Sequence, residues 1–329
     1  MTDSKKNMAP AGVGRVSVAV PVYNEETGLP ELIKRLTAVL EGIQGGPHEI
    51  IFVDDGSRDA SRSVLIRAAL ADPRISVVGL SRNFGHQAAI TAAMDAVDGD
   101  VVVVMDADLQ DSPEDIIRLL AVVAEGSDVA YAIRTRRKEG WLLRTCYAAA
   151  YRIIGMLSGT RLPLDAGDFS AMTRQVVQEI RRSPEHNRYL RGLRSWVGFR
   201  QTAVPVERGA RFSGDSKYSL AALVRLACDG VFSFSTTPLR VATVFGLFAI
   251  GISSLFTTYA VYVRVVYQRS PEGFTALLLM MVFLSGVNLL FMGIIGEYVG
   301  RIYEEAKARP LYVVDEIISQ GKRSPPGET

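Results

Sequence analysis

Cysteine is scarce in this chain: two residues, Cys146 and Cys228, stand far apart in 329. Neither belongs to a Cys-x-x-Cys pair or a Cys/His cluster, which argues against a disulfide framework or a structural zinc site and fits a reducing compartment. Net charge is scarce too, since 37 Lys and Arg oppose 35 Asp and Glu and leave +2. A general nucleic-acid binder carries a strongly basic surface, so nucleic acid is not expected as a partner. No Gly-x-x-x-x-Gly-Lys-Ser/Thr and no Gly-x-Gly-x-x-Gly follows a strand-like run, so no phosphate-cradling glycine loop is on offer. Residues 1–14 are polar, contain Lys5, Lys6, Pro10 and Gly12, and lack the apolar stretch of a secretory signal. They are expected to be disordered.

Charge is missing altogether from two later stretches, 241–263 and 274–296, each 23 residues long. As helices rising roughly 1.5 Å per residue, both would cross about 30 Å of hydrocarbon. Core helices of that length normally keep a polar face, which these lack. A two-helix transmembrane hairpin over 239–298 is therefore expected, with both flanking parts on one side. Lys217, Arg225 and Arg240 before the first span, and Arg301, Lys307 and Arg309 after the second, outweigh Arg264 and Arg269 between them. The positive-inside rule then favours the flanking parts and both termini on the cytoplasmic side. Ala242/Gly246 and Gly296/Gly300 have helix-packing spacing, a pattern that also arises by chance.

Before residue 212, short Val- and Ile-rich runs alternate with amphipathic stretches. Val16 to Val22, Glu49 to Val53, Ile75 to Gly79, Val101 to Met105 and Asp128 to Ile133 read as strands. Runs that are apolar without alternation suit strands covered on both faces, so the expected class is α/β, a mainly parallel sheet flanked by helices over 15–212. Within 213–238, the stretch from Lys217 to Phe234 puts Leu220, Leu223, Val224, Ala227 and Val231 on one face. It suits a helix in the membrane interface or one packed on the soluble domain. The tail, 299–329, offers a short strand at Leu311 to Val314 before a Ser/Pro/Gly-rich end.

Three polar clusters follow strands, and open α/β sheets bind ligands outside the carboxyl ends of their strands. Pro21, Tyr23, Asn24, Glu25 and Glu26 follow the first, and Asp54, Asp55, Gly56 and Ser57 the second. Asp106, Ala107, Asp108, Leu109 and Gln110 follow the fourth. Any one could be a helix cap. Two carboxylates separated by one residue at a strand end can also hold Mg²⁺ or Mn²⁺ through hard oxygens, with Gln110 adding a neutral one. Arg134, Arg136, Arg137 and Lys138 follow the fifth strand; they could be a solvated loop or, by guanidinium geometry, a phosphate grip.

Together with Gly167-Asp168-Phe169 and Arg211-Phe-Ser-Gly-Asp-Ser-Lys-Tyr218, these motifs make the chain resemble the family 2 polyisoprenyl-phosphate glycosyltransferases of GT-A (Rossmann-like) fold. Within them it is similar to the bacterial GtrB-like and ArnC-like branch and akin to dolichol-phosphate mannose synthase. The resemblance implies transfer of a sugar from a nucleotide diphosphate to undecaprenyl or another polyprenyl phosphate at the bacterial inner membrane. It implies that Pro21, Tyr23, Asn24, Glu25, Asp54, Asp55, Asp106, Ala107, Asp108 and Arg134 bind the nucleotide sugar. Asp106, Asp108 and Gln110 would hold Mg²⁺ or Mn²⁺; Arg137, Arg211, Ser216 and Lys217 would hold the lipid phosphate. Asp168 would take the catalytic place. The family commonly has an arginine after Gly-Asp-Phe, where this chain has Ser170.

UDP-glucose is the donor the branch favours. A 4-amino-4-deoxy-arabinose derivative, an N-acetylhexosamine and mannose stay open, as does an inactive scaffold. A homotetramer is expected by the same resemblance. A processive synthase would need a Gln-x-x-Arg-Trp motif, which Arg194-Ser195-Trp196 does not supply.

Overall fold

The computed structural model describes residues 13–134, 166–183, 185, 188–207, 237–268, 273–319 and 322–324. The expected disorder before residue 13, the amphipathic stretch 217–234 and most of the basic run after Arg134 lie outside the described residues. The chain forms two compact units. One holds the sheet and the tail after Arg309, the other the two long apolar helices.

The sheet unit begins with β1 (Val16–Val22), buried at all seven positions. The strands β2 (Glu49–Asp54), β3 (Ile75–Leu80) and β4 (Val101–Val104) pair in parallel with it or with each other, in the order β3-β2-β1-β4. Helices connect them: α1 (Leu29–Glu41), α2 (Ser61–Ala71) and α3 (His86–Ala96). α1 starts with Pro30 in its first turn, where a missing N–H costs nothing, and buries Leu29, Leu32, Leu36, Val39 and Leu40 along one stripe. Full burial of such a leucine contributes about 1.5–3 kcal/mol.

Alternate strand residues feed two cores. Val16, Val18, Val20, Ile50 and Phe52 meet α1, α2 and α4 (Asp115–Ala124) on one face. Ala19, Ile51, Val53, Val102 and Val104 meet α3 and α5 (Arg174–Arg182) on the other. This two-sided burial explains why the strands read as continuous apolar runs.

The expected parallel sheet is this four-strand centre; its flanks are mixed. β5 (Val129–Arg134) does not lie next to β4, because β6 (Ala166–Thr173) inserts between them antiparallel to both. β7 (Gln201–Val206) closes that side parallel to β5, after α6 (Leu190–Trp196). On the other side the tail returns as β8 (Val314–Ser319), antiparallel to β3, and β9 (Lys322–Ser324). The tail strand thus starts where the sequence expectation ended it. Leu311 to Val313 instead lead into it, with the Val313 carbonyl accepting the Ser81 N–H at 3.0 Å and Tyr312 donating to Asp95 at 2.8 Å.

The second unit contains α7 (Thr237–Tyr267) and α8 (Phe274–Lys307), both long and apolar enough to cross a membrane. α8 continues past the uncharged stretch as a polar helix with Arg301 paired to Glu297 and Lys307 to Glu304. A Cβ added at Gly246, Gly296 or Gly300 would meet nothing within 4 Å.

Candidate active site at the strand carboxyl ends

Chain order reverses between β1 and β4, and the crevice outside such a switch point is where open α/β sheets bind ligands. β4 leaves the ladder after Val104 pairs with Ala19, two residues before Pro21. The N–H that Pro21 lacks therefore costs no β4 hydrogen bond, and Pro21 and Asp106 flank the opening.

The loops after β1 and β2 are laced together. Asn24 donates its N–H to Ser57 Oγ at 3.0 Å and accepts from Arg58 N–H at 2.8 Å. Glu25 N–H donates to Ser61 Oγ, and Glu26 accepts from Ala60 N–H, each at 2.8 Å. Asn24 sits at φ 55°, a left-handed position that its short polar side chain tolerates. Pro21 is buried and Tyr23 exposed at the rim.

Asp54 is fully buried; its Oδ1 accepts the Ser57 N–H at 3.3 Å, its Oδ2 has no hydrogen-bond partner among the described residues, and burial pushes the carboxyl above its ordinary range. Burial also pushes Asp55 up, against the pull of two N–H donors: Phe84 at 2.7 Å and Gly85 at 2.9 Å. Asp55 thus fixes the loop after β3. Gly56 (φ 65°) makes that approach possible, for a Cβ there would lie 2.5 Å from the Arg82 carbonyl carbon.

This loop delivers His86 at the start of α3. Its Nε2 stands 3.5 Å from Asp106 Oδ1 and 3.5 Å from Asp168 Oδ2. Burial opposes a charge on the ring, yet the two carboxylates outweigh it and hold the imidazole above its ordinary pKa.

Asp106 follows β4 after Met105. Asp108 Oδ1 accepts the Gln110 N–H at 3.1 Å, and Leu109 between them is held at φ 57°, a strained conformation of the kind that collects at functional loops. Ala107 is buried, so the two carboxylates flank an apolar anchor. Among the described residues no group of three or more His, Cys, Asp or Glu forms a metal cage. Two hard carboxylates without a cage fit Mg²⁺ or Mn²⁺, which use one or two carboxylates and complete their shell with phosphate and water.

Asp168 comes from β6. Because β6 runs antiparallel to β4, with Ser170 opposite Val104, its first residues lie beside the carboxyl end of β4. Asp168 is buried and pairs twice with Arg191 of α6, Nε to Oδ1 at 2.9 Å and Nη2 to Oδ2 at 2.9 Å. Burial alone would raise this carboxyl; His86 and Arg191 reverse that and hold it far below the usual range. One turn on, Arg194 is 1% exposed, with its guanidinium 4.9 Å from the Tyr131 ring centroid and Nη1 3.4 Å from the Gly167 carbonyl. Burial pushes its pKa down to about 10, so it stays charged.

The structure therefore brings Pro21 to Glu25, Asp54, Asp55, Asp106 to Gln110 and Asp168 to the carboxyl ends of neighbouring strands. Arg134 ends β5 opposite Val206. Arg137, Arg211, Ser216 and Lys217 lie outside the described residues. Three residues escaped the sequence expectation: His86, Arg191 and Arg194. His86 was signalled by Ser81-Arg82-Asn83, a polar cluster after a strand like the other three. The two arginines carried only their one-turn spacing, since β6 was not expected.

Residues 17–181 match the family described as Glycosyl transferase family 2. The chain is 42% identical over 301 residues to an uncharacterized glycosyltransferase, YkcC, of Bacillus subtilis (strain 168), covering 91% of this chain and 93% of that protein. It is 38% identical to a bactoprenol glucosyl transferase of Shigella phage SfX, covering 91% and 98%. It is 35% identical to an undecaprenyl-phosphate 4-deoxy-4-formamido-L-arabinose transferase of Enterobacter sp. (strain 638), covering 95% and 96%.

Proposed function

Because the chain belongs to the family 2 glycosyltransferases, we propose that it moves glucose from UDP-glucose to undecaprenyl phosphate, inverting the anomeric centre. The observation that carries this reading is that His86 meets both Asp106 and Asp168, joining the two carboxylate-bearing strand ends in one site. Its likeness to the bactoprenol glucosyl transferase over nearly the whole of both chains supports the acceptor and the sugar. The likeness to the arabinose-derivative transferase supports the same acceptor with a different sugar as the second donor to test. The two apolar helices suit a protein held in the bacterial inner membrane, where such an acceptor resides.

The acceptor is a phosphate monoester with a second pKa of about 6, so it is largely dianionic at neutral pH and needs no strong base. Its oxygen attacks the anomeric carbon as the bond to the UDP oxygen breaks, and UDP leaves with that electron pair. Tyr23, Asn24, Glu25 and the Asp54–Asp55 wall bind the nucleoside end. A Mg²⁺ or Mn²⁺ ion held by Asp106, Asp108 and Gln110 would supply positive charge to the departing diphosphate. Asp168, kept ionised by Arg191, orients the sugar and stabilises positive character on its ring; it is poorly suited to accept a proton. Arg134, Arg137, Arg211, Ser216 and Lys217 hold donor and acceptor phosphates. The test is a membrane assay with radiolabelled UDP-glucose and undecaprenyl phosphate: a labelled glycolipid is expected, and none with any common nucleotide sugar contradicts the reading.

A further inference from the structure

Arg191, itself about a third exposed, meets both carboxylate oxygens of the buried Asp168 with its planar fork at 2.9 Å, and the Oδ2 atom also faces His86 at 3.5 Å. A carboxylate in a two-point pair cannot turn about its own axis without breaking both bonds, so its direction is set by α6 and not by the strand it stands on. α6 is itself fixed. Leu190 and Leu193 are buried in the core behind β6, the Leu190 N–H donates to Gln87 at 2.9 Å, and Gln201 donates to the Arg194 carbonyl at 2.6 Å. Arg194 lies buried over Tyr131 beside the Gly167 carbonyl, and two of its guanidinium nitrogens have no hydrogen-bond partner among the described residues. One seven-residue helix therefore places two arginines, one turn apart, against Gly167 and Asp168.

We propose that Arg191 is a positioning residue for the transfer, aiming the Asp168 carboxylate at the reacting sugar through its bidentate grip, with Arg194 bracing the backbone beneath. The inference rests on the reading that Asp168 stands at that sugar. It assigns Arg191 no contact with donor or acceptor. Its distinctive consequence is that shape matters as well as charge: lysine restores the charge but not the fork.

The full-length protein in detergent, with UDP-glucose and undecaprenyl phosphate, supplies the test. Arg191→Lys is expected to lower kcat by ~10–100-fold with donor KM within about twofold of wild type, as when a positioned group is misaimed. UDP binding measured by calorimetry and the thermal midpoint of Arg191→Lys should stay close to wild type. In an Asp168→Asn background, adding Arg191→Gln should cost less than about twofold more in kcat, because residues acting as a unit are non-additive. Near-wild-type kcat in Arg191→Lys overturns the proposal in favour of simple charge balance. Multiplicative losses in the double variant overturn it in favour of a separate or merely structural role. If Asp168→Asn itself turns over like wild type, the reading of Asp168 falls; if Asp168→Asn is impaired and Arg191→Lys is not, the positioning role alone falls.

Discussion

Asp55 holds Gly85: the carboxylate at the end of the second strand accepts the Gly85 N–H at 2.9 Å and thereby fixes the residue immediately before His86. With its other oxygen on the Phe84 N–H at 2.7 Å, Asp55 ties the end of the second strand, proposed to face the nucleoside, to the loop that reaches Asp106 and Asp168. A chain of direct contacts thus runs from Asp55 through Gly85 and His86 to Asp106 and Asp168.

Asp55→Asn removes one of the two acceptors and leaves a part-buried N–H without its partner, a cost of about 1 kcal/mol. We expect a lower thermal midpoint and, because His86 loses its anchor, a fall in kcat as well as weaker donor binding. Differential scanning fluorimetry and donor-saturation kinetics on the same preparation check both. A variant with weaker donor binding and unchanged kcat would separate the wall from the centre.

Gly56→Ala acts on the same loop from below. The new methyl would lie 2.5 Å from the Arg82 carbonyl carbon at a φ of 65°, and left-handed strain alone costs on the order of 1–3 kcal/mol. The contact is with backbone, so the loop must move and carry His86 with it. Initial rates should drop well beyond what the loss of folded protein explains, as judged by thermal unfolding at assay temperature.

The Asp168 carboxyl is held below its ordinary pKa of about 3.9, so the stability it gives is present above that pH and lost as pH falls through the lower folded value. The difference in thermal midpoint between wild type and Asp168→Asn should therefore shrink below about pH 4 as Asp168 protonates, and should also shrink as pH rises through the raised folded pKa of His86, whose charge Asp168 helps to hold. A difference that stays unchanged as pH falls below about 4 would mean that Asp168 is not held below its ordinary pKa in the folded state.

Much of this was legible in the amino acids. The runs from Val16, Glu49, Ile75 and Val101 show as strands because both faces are covered, which leaves them continuously apolar. Asp54, Asp55, Asp106 and Asp108 were visible because, although any one could cap a helix, they recur after several strands whose carboxyl ends lie together. β6 was not legible, since Ala166–Thr173 mixes Gly, Asp and Ser with apolar residues; its polar start exists to place Asp168. Arg191 and Arg194 could not be found without β6, as their partners are 23 and 27 residues away in sequence. The tail strand was expected three residues too early, because Tyr312 and Val313 are engaged by Asp95 and Ser81.

The tail should matter for stability. Glu316 of β8 is buried between Arg62, at 2.8 Å, and the more exposed Arg323. Arg62→Ala leaves a buried carboxylate with one exposed partner, whereas Arg323→Ala removes a pair of the exposed kind worth about 0–1 kcal/mol. The thermal midpoint should fall clearly in the first variant and little in the second. No fall in either variant would show that β8 is held by its backbone ladder alone.

The most direct measurement is reaction of the purified full-length protein with UDP-glucose, undecaprenyl phosphate and Mg²⁺ or Mn²⁺, followed by isolation of the lipid product and determination of its anomeric configuration by NMR. The account predicts undecaprenyl phosphate carrying one β-linked glucose from the α-linked donor, with no product from Asp108→Ala. An α-linked product, or no glycolipid from any UDP- or GDP-sugar, would contradict it.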